Sequence, residues 1–327
     1  MRSLIKRTFA AVTAVAALLP AAALADYPER AITIVVPFAA GGPTDIISRL
    51  VAEPMSKSLG QNVIVENQVG AGGTVAVTRV KNATADGYTI LMGNLGTQAA
   101  SVGLYPKLQY DPRTDFAPIM NVAGTPMIVA AKKDSPFKDF KEFIAYAKKN
   151  PGKLNYGTGG IGATSHLTCL YLDALMDSPQ THVPFRGSGP ALNALIGGQV
   201  DYVCDQTVGI VPSIQGGNVK GWVVATPERL PQLPDMPTSK EQGLADFQAV
   251  GWNALFAPKN TPKAVVDKLN AAARAALTDE RVLARLKDLA ANIPDESERT
   301  PEWLGAFVKS EVDKWVPVIQ KAGVKVD

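Results

Sequence analysis

Ile32-Thr33-Ile34-Val35-Val36-Pro37-Phe38-Ala39-Ala40-Gly41-Gly42-Pro43-Thr44-Asp45 is a β-branched run stopped by proline, then a glycine-rich loop, then the start of an amphipathic helix from Ile46. The same design returns at Leu154-Asn155-Tyr156-Gly157-Thr158-Gly159-Gly160-Ile161-Gly162-Ala163-Thr164-Ser165-His166, where a strand again runs through glycines into a helix. Each stretch is a strand, a glycine-rich loop and a helix N-terminus. Glycines let the backbone come close to a ligand, and the free N–H groups of a first helical turn favour anions. Two such loops on different lobes, facing each other, would suit a molecule with a carboxylate at each end.

Outward from these stretches, strands and helices alternate, which predicts an α/β fold with mainly parallel sheets. Strands are expected at 32–36, 62–66, 88–92, 153–156, 181–185 and 200–204. Helices are expected at 44–59, 73–83, 138–149, 164–176 and 190–197, with a mostly helical C-terminal third. An apolar run ending Met127-Ile128-Val129-Ala130-Ala131 reads as a crossing between lobes, and Gly221-Trp222-Val223-Val224-Ala225-Thr226 as the return. The hinge is therefore expected near 123–131 and 221–227. The expected division is residues 26–124 with 226–327 as lobe 1 and 125–225 as lobe 2. The last helix is framed by Pro301 and Gly323, and Leu304, Val308, Val312, Trp315 and Ile319 form one apolar face.

Residues 1–25 read as a secretory signal. Arg2, Lys6 and Arg7 form its basic start, an alanine-rich apolar stretch follows, and Ala23-Leu24-Ala25 is a small-residue cleavage site. The whole chain carries 33 basic and 30 acidic residues, and the signal holds three of the basic ones, so residues 26–327 carry 30 of each. No basic excess is left to suggest nucleic acid or an anionic membrane surface. A hydrophobic content of 46% with 19% charged residues describes a globular protein, and about 300 residues exceed one typical core, so two lobes are expected. Cys169 and Cys204 would sit in an oxidising compartment, which permits a disulfide; a pair of buried thiols is the alternative.

Several chemistries lack their residues. Gly157, Gly159 and Gly162 match G-x-G-x-x-G, but a dinucleotide site needs an acidic residue after the next strand, and Arg186-Gly187 stands there. Ser165 and His166 are adjacent on a helix and point in different directions, which suits no nucleophile–base pair. His166 reads as a structural hydrogen-bonder. There is no C-x-x-C, H-E-x-x-H or Walker loop, so no catalytic residue, metal or cofactor is expected. Thr44 or Asp45 fits a helix cap; Asp45 would repel a carboxylate aimed at it. A third loop, Pro184-Phe185-Arg186-Gly187-Ser188-Gly189-Pro190, offers Arg186 as a bidentate carboxylate holder. Asn94, Thr97, Asp205 and Thr207 are candidates for setting ligand length and shape. Phe38 and Trp252 could supply flat apolar walls.

Together these residues resemble a known family. Pro28 to Ile32, Val36 to Gly42 with Asp45, Val65-Glu66-Asn67 with Gly70 to Gly73, and Asp86-Gly87-Tyr88 all fit it. So do Tyr110-Asp111-Pro112, Asp115-Phe116, Gly159 to His166, His182 to Phe185, Gly198 to Asp201 and Pro234 to Thr238. The chain resembles the periplasmic solute-binding proteins of the tripartite tricarboxylate transporter system, the Bordetella uptake gene (Bug) family. The resemblance implies a type II periplasmic-binding fold, two α/β lobes with a ligand cleft, and a small carboxylate ligand: a C4–C6 diacid, citrate, an acidic amino acid or an aromatic acid such as terephthalate. It implies that main-chain N–H groups of Phe38, Ala39, Ala40, Gly41 and Gly42 hold one carboxylate. The far end would meet Gly160, Ile161, Gly162, Ala163, Thr164 and Ser165. It further implies a periplasmic monomer with a large and a small integral-membrane subunit as partners. Phe185-Arg186 and Val203-Cys204-Asp205-Gln206 depart from the family's commoner residues, and both bear on ligand identity. A ligand sensor for a membrane signalling partner, or an enzyme on a binding-protein scaffold, are the competing readings.

Overall fold

A computed structural model describes residues 27–321. The expected signal segment and the expected helix stop at Gly323 lie outside the described residues. The strands are β1 (Ile32–Val36), β2 (Val63–Asn67), β3 (Thr89–Asn94), β4 (Phe116–Lys132), β5 (Asn155–Thr158), β6 (Thr181–Pro184), β7 (Tyr202–Gln206), β8 (Val219–Val224) and β9 (Val250–Pro258). The helices are α1 (Pro43–Leu59), α2 (Thr74–Lys81), α3 (Ser101–Leu104), α4 (Phe140–Lys149), α5 (Thr164–Met176), α6 (Ser188–Ile196), α7 (Thr207–Gln215), α8 (Lys263–Ala276), α9 (Glu280–Asp288) and α10 (Pro301–Lys321). No described helix is long and apolar enough to cross a membrane.

The strand order is β2-β1-β3-β9-β4-β7-β5-β6, with β8 beside β4. This is a two-lobed α/β fold in which β4 belongs to both sheets. Its first part pairs with β9 from Phe116 to Pro126; its second pairs with β7 from Met127 and with β8 from Ile128. In the first lobe, α1, α8 and α9 bury Ile47, Val51, Met55, Leu269 and Leu286 on one face of the sheet. On the other face, α2, α3 and α10 bury Val77, Leu104 and the expected α10 stripe of Leu304, Val308, Val312, Trp315 and Ile319. At roughly 1.5–3 kcal/mol per large apolar side chain, that stripe explains why the C-terminal helix is held.

Two expectations need correction. Gly221–Thr226 is not the return crossing, because Val219–Val224 is a strand of the second lobe, paired to β4. The following segment stays on that lobe: Leu230 and Met236 pack with Val219 and Val224, and Phe247 packs with Phe140 and Trp222. The chain returns at β9, where Met127 N–H donates to Ala249 O at 3.1 Å and Pro126 pairs with Val250. Residues 226–249 therefore leave the first lobe's expected share. Both 221–226 and 250–258 are apolar runs, and periodicity alone does not tell a hinge strand from a core strand. The sheets are also mixed rather than mainly parallel, since β9 runs antiparallel to both β3 and β4.

Candidate ligand cavity between the lobes

The lobes meet along the two glycine-rich loops. Ala39 N–H donates across the gap to Arg186 O at 3.0 Å. The Tyr105 hydroxyl reaches Ala71 O at 3.0 Å and, on the other lobe, Ile161 O at 2.9 Å. Between them lies a small cavity of about 20 Å3, lined by Phe38, Gly42, Pro43, Thr44, Asn94, Gly159, Ala163, Thr164, Ser165, Ser188 and Gln206. That volume holds about one water. A diacid is larger than this volume.

No lining side chain is charged. What converges there instead is backbone. Four helices, α1, α5, α6 and α7, begin at this cavity, and none has a side-chain hydrogen bond at its N-cap. Away from the cavity, α4 and α9 are capped by Asp139 and Asp279, whereas α2, α3 and α8 also begin without a side-chain cap, so it is the convergence of four starts that marks the cavity. Each open N-terminus favours an anion by about 0.3–1 kcal/mol at a surface, and up to about 2 kcal/mol when partly buried. The Thr164 hydroxyl is buried against the cavity with no partner.

Beneath the cavity a polar chain links the lobes through the hinge strands. Asn94 Nδ2 donates to Thr44 Oγ1 at 3.2 Å, and Thr44 Oγ1 donates to Asn253 Oδ1 at 2.9 Å. Asn253 Nδ2 then donates to Gln206 Oε1 at 3.2 Å, which also accepts from Thr125 Oγ1 at 2.5 Å. All five residues are buried.

The expected site residues sort into three groups. Phe38, Gly42, Thr44, Asn94, Ala163, Thr164 and Ser165 line the cavity. Ala39, Ala40, Gly160, Ile161 and Gly162 form the seam where the lobes touch: Gly187 faces Ala39, Gly189 faces Ala40 O, Gly160 faces Gly72, Ile161 accepts from Tyr105, and Gly162 O faces Gly96. The rest point elsewhere. Gly41 N–H donates to Asp45 Oδ2 at 2.9 Å, and Asp45 is held by Arg49 and by Asn67 Nδ2 at 2.9 Å, behind the loop. Burial raises the Asp45 carboxyl, but hydrogen bonds from Arg49, Gly41 and Asn67 outweigh it and hold it below the usual range. Thr97 shapes the Asn94 turn, its N–H donating to Asn94 Oδ1 at 3.1 Å. Thr207 Oγ1 donates to Ala290 O at 3.0 Å, away from the cavity. The Arg186 side chain is exposed, and its carbonyl makes the cross-lobe bond. Asp205 lies behind the wall, accepting from Ser188 Oγ and Gln206 N–H, each at 2.8 Å. Trp252 faces away from Asn253 on β9 and donates from Nε1 to Glu311, so it is no cavity wall.

The loop amides are also less free than expected. Gly159 N–H goes to Ser165 Oγ, Gly160 N–H to Thr158 Oγ1 and Gly162 N–H to His166 Nδ1, at 2.9, 3.2 and 3.2 Å. Ser165 and His166 thus serve separate backbone groups. Anion donors are left to the remaining loop amides, those of Phe38, Ala40 and Gly42 in the first loop, and to the first turns of the helices. Asn253 and Thr125 were not expected at the site; Pro43, Gly159 and Ser188 lie within the three expected loops, and Gln206 within the strand end expected to bear on ligand identity. The legible signal was Asn253 and Gln206, each an amide closing or interrupting an apolar strand.

His166 stacks on His182 with ring centres 4.2 Å apart, and Tyr156 stacks on His182 at 5.1 Å. Burial, with the neighbouring His182, pushes His166 down to about 3; burial pushes His182 down to about 4. Both imidazoles are expected to stay neutral at pH 5 in a 15N NMR titration; a protonated ring there would overturn this packing account. Folded values below the unfolded 6.5 mean a stability contribution present above that pH and lost as pH falls through 4 and 3.

Cys169 on α5 and Cys204 on β7 are joined in a disulfide. Of the two readings the sequence allowed, the structure shows this one.

Larger grooves lie elsewhere, one of about 430 Å3 behind the hinge strands and one of about 500 Å3 between α5 and α10. Neither gathers helix N-termini. Two α/β lobes joined by shared strands, meeting around a charge-free cavity ringed by open helix starts, define the class: a two-lobed solute-binding receptor. The chain belongs to the tripartite tricarboxylate transporter receptor family, whose model matches residues 47–324. It is similar to MatC from Rhodopseudomonas palustris, solved with bound malate, at 46% identity and TM-score 0.87, covering 90% of this chain and 100% of that one. It is similar to the periplasmic binding protein BugD at 43% identity and TM-score 0.88, covering 92% and 100%. An R. palustris protein solved with adipate shares 31% identity at TM-score 0.87, again covering 92% and 100%.

Proposed function

We propose that this protein is a periplasmic receptor that closes on a small aliphatic dicarboxylate and delivers it to a tripartite membrane carrier. The observation that carries the reading is the set of four uncapped helix N-termini around one cavity with no charged lining residue. An anion held there is neutralised by fixed dipoles, which strengthen as closure removes water. The malate and adipate in two similar structures support a diacid. Aliphatic is favoured over aromatic because Phe38 is the sole aromatic lining residue.

The test is calorimetry and thermal shift on protein refolded free of ligand. Succinate, malate, adipate, citrate, glutamate and terephthalate are compared, each diacid with its half-ester. A cognate diacid at a thousandfold its Kd is expected to stabilise the fold by about 4 kcal/mol. A half-ester is expected to do far less. No response to any carboxylate would overturn the reading. Thr164→Val removes the unpartnered hydroxyl. It is expected to cost roughly 1–3 kcal/mol of diacid affinity, about ten- to a hundredfold, with unliganded stability equal or higher. Unchanged affinity would place the ligand away from Thr164.

A further inference from the structure

We propose that Asp205 and Ser188 form a proton-linked polarity switch in the cavity wall: a bound dicarboxylate draws one proton from solvent onto Asp205, and Ser188 then turns its own proton to the ligand. The inference rests on the carboxylate-receptor reading above.

Asp205 ends β7 and is 2% exposed. Its Oδ1 accepts from Ser188 Oγ and from Gln206 N–H, both at 2.8 Å. Ser188 and Gln206 themselves line the cavity. One lining residue, Ser188, therefore separates a buried carboxylate from the place where an anion would sit. A β-carbon built on Gly209 would lie 3.3 Å from Asp205 Oδ2 and 3.0 Å from Pro43 Cγ. Oδ2 thus faces α7 and the first residue of α1, which comes from the opposite lobe. Closure removes water from this carboxylate.

The neighbours supply no counter-charge. Neither α6, nor α7, nor residues 116–131 of β4 carries a titratable side chain. On β4, Ile128 stands opposite Asp205. From α1, Asp45 and Arg49 pair with each other, and the Arg186 side chain before α6 is exposed. His166 and His182, beyond β5, are neutral. Burial pushes the Asp205 carboxyl up to about 6, and hydrogen bonds from Gln206 N–H and Ser188 lower it only in part.

The chemistry of one hydroxyl follows. While Asp205 is ionised, the Ser188 proton is donated to it, and Ser188 Oγ presents lone pairs to the cavity. That polarity repels a carboxylate. Once Asp205 takes a proton, its O–H donates to Ser188 Oγ and the Ser188 proton is free for the ligand. One proton leaves solvent per ligand bound, and no other bond changes.

The experiment is calorimetry with malate in buffers of different ionisation enthalpy, between pH 6.5 and 8, where malate is fully ionised. Wild type is expected to take up close to one proton per malate at pH 7.5, and to bind about tenfold more weakly per pH unit gained. Asp205→Asn, permanently neutral, is expected to take up none. Its affinity should be flat with pH and at pH 8 should equal or exceed that of wild type at pH 6.5. Binding of malate without proton uptake, or equal uptake in Asp205→Asn, overturns the switch alone. If no carboxylate binds at any pH, the receptor reading falls and the switch with it. Should the variant fail to fold, 13C NMR of wild-type aspartate carboxyls with and without malate reads the same event. A ligand-induced shift of one carboxyl to its protonated position supports the switch, and no such shift overturns it.

Discussion

Replacing Gly96 by alanine is expected to weaken dicarboxylate binding on the order of 100-fold, about one charge-assisted hydrogen bond in free energy, while leaving the unliganded fold intact. A β-carbon at Gly96 would lie 2.5 Å from Gly162 O and 3.1 Å from Thr164 N, both on the opposite lobe. Real β-carbons do not come that close to backbone, so the second lobe must stay back by the better part of an ångström. Gly96 has helical neighbours, with Leu95 in the right-handed region, and alanine suits helix better than glycine. The substitution therefore acts on closure and not on the first lobe itself. Gly72 is a harsher but less clean alternative. Its β-carbon would lie 2.0 Å from Ile161 O, yet its φ of +61° strains any side chain within its own lobe. Small-angle scattering should show wild type compacting with ligand and Gly96→Ala compacting less. Unchanged affinity and compaction would mean that the ligand-bound form does not need this contact.

The second large effect is on stability. Cys169 and Cys204 are both fully buried, 35 residues apart in sequence, and tie α5 to β7. Closing a loop of that length removes unfolded-state entropy worth about 4 kcal/mol. The double substitution to alanine is expected to lower urea-unfolding stability by about that amount. It should also loosen the wall in which α5 and β7 bring Thr164 and Gln206 to the cavity, so diacid affinity should fall with it. A loss below about 1 kcal/mol would show that packing alone holds α5 in place. The bond also fits the expected periplasmic location, since such links persist in oxidising compartments.

Much of this protein was legible locally. β1 with α1 and β5 with α5 carry their pattern in the chain itself: β-branched or aromatic residues, a proline or glycine stop, and a polar helix start. The α10 stripe is equally local, because helical spacing of Leu304 to Ile319 states which face is buried. β9 was not legible. Its run Val250–Pro258 has no alternation, since it is covered on both faces, and it enters the sheet between β3 and β4, far from either in sequence. The return crossing went to the wrong apolar run for the same reason.

The α/β class and the two glycine-rich loops follow from the chain alone, because each depends on residues within a helical turn or a strand of one another. Which donors face the cavity was set by packing across the lobes. Loop amides of Ala39, Gly41, Gly159 and Gly162 found partners in Arg186, Asp45, Ser165 and His166, so the open donors are the remaining loop amides together with the helix starts. Asp45, Thr97 and Thr207 turned to backbone and side-chain partners that no local pattern names. Gln206, Asn253 and Ser188 entered the site because strand crossing brings distant polar residues under one cavity, and a buried polar group takes whichever partner the fold sets within reach.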